Sequence, residues 1–287
     1  MYQTQSISPF RSVALQSVVL VSCFVLRISD FRLLAQEPPA ADTREAAQRL
    51  ELMKSQAAAY EVKLGEPQSP LKLHAEPLLR FSNPVGGVPD GIAVMWKQGA
   101  RPVIFAQVFQ TKEGLWIHEC QSLASAPLSM EQGGKVLWSP QEAAPAFQEL
   151  QGGPAAGATP ARRLVQMKSL AAEFSASDDF KISSQDKETT RHELRLLPTP
   201  VYRYADSAAG ITDGAVFAYV HGTDPEAFLV LELRSDKSGG DSWHYALAPM
   251  TCWAVHVRRG QTEVFSSEER FAKSKPQDLY HVWVHKP

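Results

Sequence analysis

The side chains that could do chemistry in this sequence fall into a few sets. Arg80 with Asp90, and Arg203 with Asp213, each combine a fork of donors with a carboxylate that opens an Asp-Gly turn. Such a pair can grip a polar ligand, yet a structural ion pair beside a turn former is the commoner use of the same groups. His118, Cys120, Cys252 and His256 carry atoms suited to zinc. Their spacing argues against a metal site: His-x-Cys lies on one strand face, and Cys-x-x-x-His is a helical spacing in a segment that reads as strand. Six tryptophans offer stacking surfaces. Trp96 and Trp116 are better explained as packing residues, which leaves Trp253 and Trp283 as the candidates for exposed aromatics. No nucleophile elbow, zinc-protease helix, phosphate loop or dinucleotide fingerprint occurs. The sequence therefore assigns no catalytic, cofactor-binding or metal-ligating residue and implies no cofactor.

The elements that must carry these residues are legible from an internal repeat. Arg49, Leu50, Met53, Lys54, Ser55, Ala57 and Ala58 recur as Arg163, Leu164, Met167, Lys168, Ser169, Ala171 and Ala172, seven identities in twelve positions at a shift of 114. Chance would match roughly one position in sixteen. At a shift of 123, Pro77, Arg80, Gly87, Asp90, Gly91, Gly99 and Pro102 recur as Pro200, Arg203, Gly210, Asp213, Gly214, Gly222 and Pro225. Phe81 meets Tyr204, Val94 meets Phe217, and Trp96 meets Tyr219; further on, 103–108 aligns with 228–233 and Trp116 with Trp243. Shared glycines, prolines and aromatics are what a shared backbone requires.

Each unit opens with an amphipathic helix, since Ala46, Leu50, Met53, Ala57, Tyr60 and Leu64 recur at helical spacing and Leu164, Met167, Ala171 and Phe174 repeat the stripe. Asp42 with Glu45 reads as a capping box, and Thr159 before Pro160 as a cap with proline in the first turn. Short strands follow at 71–81, 92–97, 103–111 and 115–123, and again at 193–204, 215–221, 227–234 and 243–247, with further hairpins near 136–138 and 252–265. Connections this short join antiparallel neighbours. The expected class is α+β: two tandem repeats, each one amphipathic helix packed on an antiparallel β-meander. The units span 42–139 and 159–266. Residues 140–158, rich in Pro, Ala and Gly, read as a linker, and 267–287 as a C-terminal tail whose alternating end, His281 to His285, reads as an added strand or a loose terminus.

At 287 residues with a formal charge of -2, the chain can bury a large core and has no basic stripe to attract nucleic acid. Arg11 precedes an apolar run from Val13 to Leu26 that is short for a membrane span, so residues 1–35 read as a signal peptide cut after Ala35 or near Ala40 and Ala41. Leu20 to Cys23 also resembles a lipobox that would make Cys23 a lipid anchor, the one membrane attachment the sequence suggests. Removing 1–35 takes three of the 29 basic residues and one of the 31 acidic ones, leaving 26 against 30 and a charge of -4. An oxidising compartment would permit a Cys120 to Cys252 disulfide, although two separate buried thiols is the plainer reading.

The signal segment, the run Leu196-Leu-Pro-Thr-Pro200-Val-Tyr-Arg203-Tyr-Ala-Asp206, then Asp213-Gly-Ala-Val-Phe-Ala and Trp243-His-Tyr-Ala-Leu-Ala together resemble a family of exported proteins from planctomycete bacteria that has no assigned activity. The resemblance implies a cell-envelope setting and no catalytic residues. The expected function is a non-enzymatic binding or interaction role toward a protein or small-molecule ligand. The alternative is an envelope hydrolase with a site between the repeats, built from groups such as Asp90, Asp213 and His118. A third reading is a scaffold for a larger assembly.

Overall fold

The computed structural model describes residues 40–181, 189–235 and 240–285. The proposed signal peptide and Cys23 lie outside the described residues. The chain is α+β, with two helices and antiparallel strands among the described residues. In order, the elements are α1 (Ala40–Ala58), β1 (Glu61–Leu64), β2 (Ser69–Pro70), β3 (Lys72–Leu73), β4 (Leu79–Asn83), β5 (Val88–Gln98), β6 (Arg101–Gln110), β7 (Trp116–Ser122), β8 (Leu128–Gln132), β9 (Lys135–Trp138) and β10 (Gln148–Glu149). There follow α2 (Pro160–Ala171), β11 (Phe174–Phe180), β12 (Thr190–Leu196), β13 (Tyr202–Asp206), β14 (Ile211–His221), β15 (Asp224–Ser235), β16 (Asp241–Pro249), β17 (Val255–Arg259), β18 (Thr262–Ser267) and β19 (Tyr280–His285).

The apolar stripe of each helix is cut shorter than its spacing predicts. From Tyr60 onward the buried residues fall at every second position, Tyr60, Val62 and Leu64, and the chain enters β1. Phe174 likewise opens β11 instead of closing α2. Because α1 begins at Ala40, Asp42 falls inside its first turn and not ahead of it. Thr159 does cap α2, its hydroxyl accepting from the Arg162 amide, with Pro160 in the first turn. The long runs expected at 71–81 and 193–204 are each broken in two, at 74–78 and at 197–201, where Pro77, Pro198 and Pro200 supply no amide proton to a ladder.

Strand pairing departs from a plain meander. β4 to β7 and β13 to β16 pair consecutively, but the terminal hairpins fold back: β8 pairs with β1, and β17 with β11. Leu79, Arg80, Phe81 and Asn83 face Ala93, Ile92, Gly91 and Val88, while Tyr202, Arg203, Tyr204 and Asp206 face Val216, Ala215, Gly214 and Ile211, the same register 123 residues later, bulge included. Gly91 and Gly214 are required there, because a Cβ would come within 2.5 Å of the Phe81 ring and 2.7 Å of the Tyr204 ring.

Side-chain alternation sorts the strands into four layers, helix, sheet, sheet, helix. Ile92, Val94, Trp96, Ile104 and Ala106 pack with Met53 and Ala57 of α1. Ala215, Phe217, Tyr219, Leu229 and Leu231 pack with Met167, Leu170 and Ala171 of α2. The opposite faces meet each other through Ala93, Met95, Phe105, Val216, Ala218, Phe228 and Val230, with the Phe105 and Phe228 rings 4.5 Å apart. The stretch read as a linker is tied to the second sheet by β10, which pairs with β16, and by Leu150, buried in the core beside α2. The tail is no loose end: β19 pairs along β7 of the first sheet.

An ion triad fixes each helix to its sheet. Arg80 grips Asp90 through Nε at 2.8 Å and Nη2 at 2.6 Å, Arg49 of α1 donates to the same carboxylate at 3.0 Å, and Arg80 Nη2 also donates to the Ala46 carbonyl at 2.8 Å. Arg203, Asp213, Arg163 and the Pro160 carbonyl repeat the arrangement, at 3.0, 2.7, 2.8 and 2.5 Å. Burial pushes both carboxyls up, but the arginine bonds outweigh it and hold Asp90 and Asp213 below the usual carboxylate range. These pairs are structural clamps. Arg203→Ala should lower the unfolding free energy by about 1–3 kcal/mol in urea titration. Since the folded pKa is depressed, the clamp's contribution is present above about pH 4 and lost as pH falls through the folded value, and Asp213→Asn should remove part of that acid sensitivity.

Candidate functional site

The facing sheets are apolar in the middle and polar at both ends. At one end the buried Glu232 is fully satisfied. It accepts from Arg101 at 2.8 and 3.2 Å, from Arg234 at 2.7 Å and from the Tyr204 hydroxyl at 2.6 Å, and both guanidiniums lie over the Phe147 ring, at 4.5 and 4.4 Å. Two guanidiniums and a hydroxyl satisfy the one carboxylate, and the network is closed.

The other end has the opposite character. Gln107 and Glu119 are cross-strand partners on β6 and β7, and opposite them β15 begins with Asp224 and Glu226. The Gln107 amide joins the halves, donating to the Pro225 carbonyl and, at 3.3 Å, to that of Met250. Asn83 donates to Asp224 at 3.0 Å, and Thr223 exchanges two 2.9 Å bonds with the backbone of Ser82. Around these groups lies a cavity of about 580 Å³, with Phe109, Phe180, Trp253 and Phe271 among its walls and Glu119, Asp224, Glu226 and Cys252 among its polar lining. Trp253 and Phe271 stack at 5.3 Å, and Phe180 meets Trp253 edge-on at 5.8 Å. A smaller, more open hollow beside α1 holds Glu51, Lys54 and His74, but Lys54 is already ion-paired there with Glu51 at 3.6 Å.

Asp178 of β11 joins the same acidic cluster. Burial, with the charges of Asp179 and Asp224, pushes its carboxyl up to about 7. Burial alone drives Asp224 up to about 7 against the Asn83 bond, and burial with the Asp224 charge drives Glu119 up to about 8. Glu226 rises well above its ordinary value through burial and the charges of Asp224 and Asp178. None of the four forms an ion pair among the described residues. Clustered carboxyls perturbed by desolvation in a cleft are a physical mark of a functional site.

No family model, curated protein or solved structure matches the chain. The site must be judged on its own geometry.

Several sequence expectations are corrected by that geometry. Trp253 is buried, 8% exposed, in the cavity wall, and Trp283 is half-buried, stacked on His118 at 5.5 Å. His118, Cys120, Cys252 and His256 do not converge: His118 bonds the Tyr60 hydroxyl at 2.8 Å beside α1, Cys120 is in that same core, and His256 lies 3.4 Å from Asp179. Cys252 alone of the four reaches the cavity, and both thiols are unpaired. Asp90 and Asp213 sit in clamps under different helices, so with His118 they form no common site. The residues that do gather carry little signal in the linear sequence. Asp224-Pro-Glu226-Ala-Phe228-Leu-Val230-Leu-Glu232 places acids at alternate positions of an otherwise apolar strand, the one signal that could have revealed them.

The raised Glu119 pKa has a stability consequence of definite sign. The folded value of about 8 exceeds the unfolded one of roughly 4, so this contribution is complete below about pH 4 and lost as pH rises through about 8. Glu119→Gln should flatten the fall in Tm between pH 6 and 9; an unchanged slope would place the titrating group elsewhere.

Proposed function

We propose that this is an exported, non-enzymatic binding protein made of two copies of one helix-on-sheet unit, with its ligand in the cavity where the copies meet. The duplication is supported by the shared 123-residue register of the β4/β5 and β13/β14 pairs and by the two Arg-Asp-Arg clamps. Export rests on the reading of residues 1–35 and on the resemblance to envelope proteins from planctomycete bacteria. N-terminal sequencing of the secreted form should find a start near residue 36 or 41, or a modified Cys23.

One observation carries the binding reading. Four buried carboxyl groups meet, without ion-pair partners among the described residues, beside a cavity walled by aromatic rings. The complementary ligand has an apolar or aromatic body and a cationic, hydrogen-bond-donating head that reaches Glu119 and Asp224. Phenethylamine and phenylacetate share one body and carry opposite charges. Titrated against the protein with tryptophan fluorescence and calorimetry as readouts, the amine should bind and the acid should not. Glu119→Gln should weaken the amine roughly tenfold, the loss of one charge-assisted hydrogen bond. Equal binding of both compounds, or of neither, would defeat this reading.

A hydrolase is the second reading, favoured by one observation. Glu119 and Asp224, raised to about 8 and about 7, hold protons near neutrality as a general acid must. Turnover of chromogenic glycosides or esters that is lost in Glu119→Gln would favour it over binding alone.

A further inference from the structure

The β14–β15 hairpin is closed by the pair His221 and Asp224, and Glu226 follows two residues later. Asp178 is brought beside them by β11, held between His192 of β12 and Val255 of β17. One carboxylate oxygen of Asp178, one ring nitrogen of His221 and one carboxylate oxygen of Glu226 all lie within 4.8 Å of one another. We propose that these three residues bind a divalent first-row transition ion, with zinc the reference metal.

Proximity of acids would not suffice, and the decisive observation is the state of Asp178. It is 0% exposed, and its carboxylate oxygens find no donor other than the residue's own backbone amide. Nδ1 of His221 is also buried without a partner. A buried carboxylate with so few donors is unfavourable as the anion, and it is relieved by a proton, a cation or a hydrogen-bond network. The opposite end of the molecule shows how this architecture balances a buried acid from within. There Gln98 and Arg101 close the β5–β6 hairpin, and Arg101 with Arg234 neutralises Glu232. At the corresponding hairpin positions stand His221 and Asp224, and no arginine there meets Asp178 or Glu226 as Arg101 meets Glu232.

The donor set narrows the ion. One imidazole nitrogen and two carboxylate oxygens suit zinc, manganese and their neighbours, whereas calcium and magnesium favour oxygen-only shells. Bonds of about 2.0–2.1 Å place tetrahedral donors roughly 3.4 Å apart, so each side chain needs to move inward by about 1 Å or less. The His221 ring is held by Phe180, edge-on at 5.4 Å, and by His192 at 4.8 Å. Asp178 and His221 do not line the large cavity, whereas Glu226 does. An ion here takes up the charge of Asp178 and Glu226 and leaves Glu119 and Asp224 facing the cavity, so this inference does not rest on the ligand proposed above.

The test is calorimetric titration of the chelator-stripped full chain with zinc, and separately with manganese, magnesium and calcium. One zinc per chain and a raised Tm are expected, with magnesium and calcium much weaker. Asp178→Asn and His221→Gln should each lower zinc affinity at least about 100-fold, the upper end of what losing an outer-shell partner costs. His221→Gln is the second variant should Asp178→Asn not fold, since the histidine is only half-buried. Cobalt substitution supplies an independent readout: visible d–d bands without a sulfur charge-transfer band are expected. No zinc bound, undiminished binding in His221→Gln, or a thiolate band that disappears in Cys252→Ala would each overturn the assignment.

Discussion

Two sheets pressed face to face set the terms for everything else in the described chain. Met95, Phe105, Phe228 and Val230 bury one face of each sheet, and a second apolar face remains on each that cannot be left in water. Each helix covers one of those outer faces, which explains why both need only a short apolar stripe. The Arg-Asp-Arg clamps then fix where each helix lies along its sheet. Hydrophobic burial supplies the association and the ion triads supply the position, a division expected when non-directional and directional forces act together.

The same packing decides where polar groups can go. The middle of the gap between sheets admits only apolar side chains, so charged residues on the inner faces are displaced toward its ends. One end solves the problem with arginines and a tyrosine around Glu232. The other end collects Glu119, Asp178, Asp224 and Glu226, groups that repel one another and would each be more comfortable in water. Stability alone would not select such a cluster. Sites that sacrifice stability for interaction have this form, and the contrast between the two ends is sharper because their surroundings follow matching hairpins.

The sequence revealed the class, both helices, most strands and the Arg80/Asp90 and Arg203/Asp213 pairs, because those features depend on local periodicity and on residues that recur at a constant shift. It did not reveal where helix gives way to strand. Tyr60 and Leu64 satisfy a helical spacing and an alternating one equally well, so periodicity could not choose between them. Trp253 was misplaced because an aromatic lying outside the recurrent pattern reads as surface when it can equally line a cavity. The acidic cluster was missed for a different reason: its members come from β7, β11 and β15, and nothing in linear order brings Glu119 to Asp224. Only the closure of one sheet upon the other does that.

The edge of the first sheet is closed by a strand far away in sequence. β19 is made of the last described residues, yet it pairs along β7 in the first sheet, and the segment just before it accepts bonds from Trp138, Ser139 and Gln141. The first sheet therefore acquires its outermost strand only through a pairing distant along the chain, a contact that is slow to form. Until then β7, which carries Glu119, presents an open ladder to any passing neighbour. Val282 and Val284 of that strand line the cavity, so the strand that covers the sheet edge is also part of the wall of the acidic site.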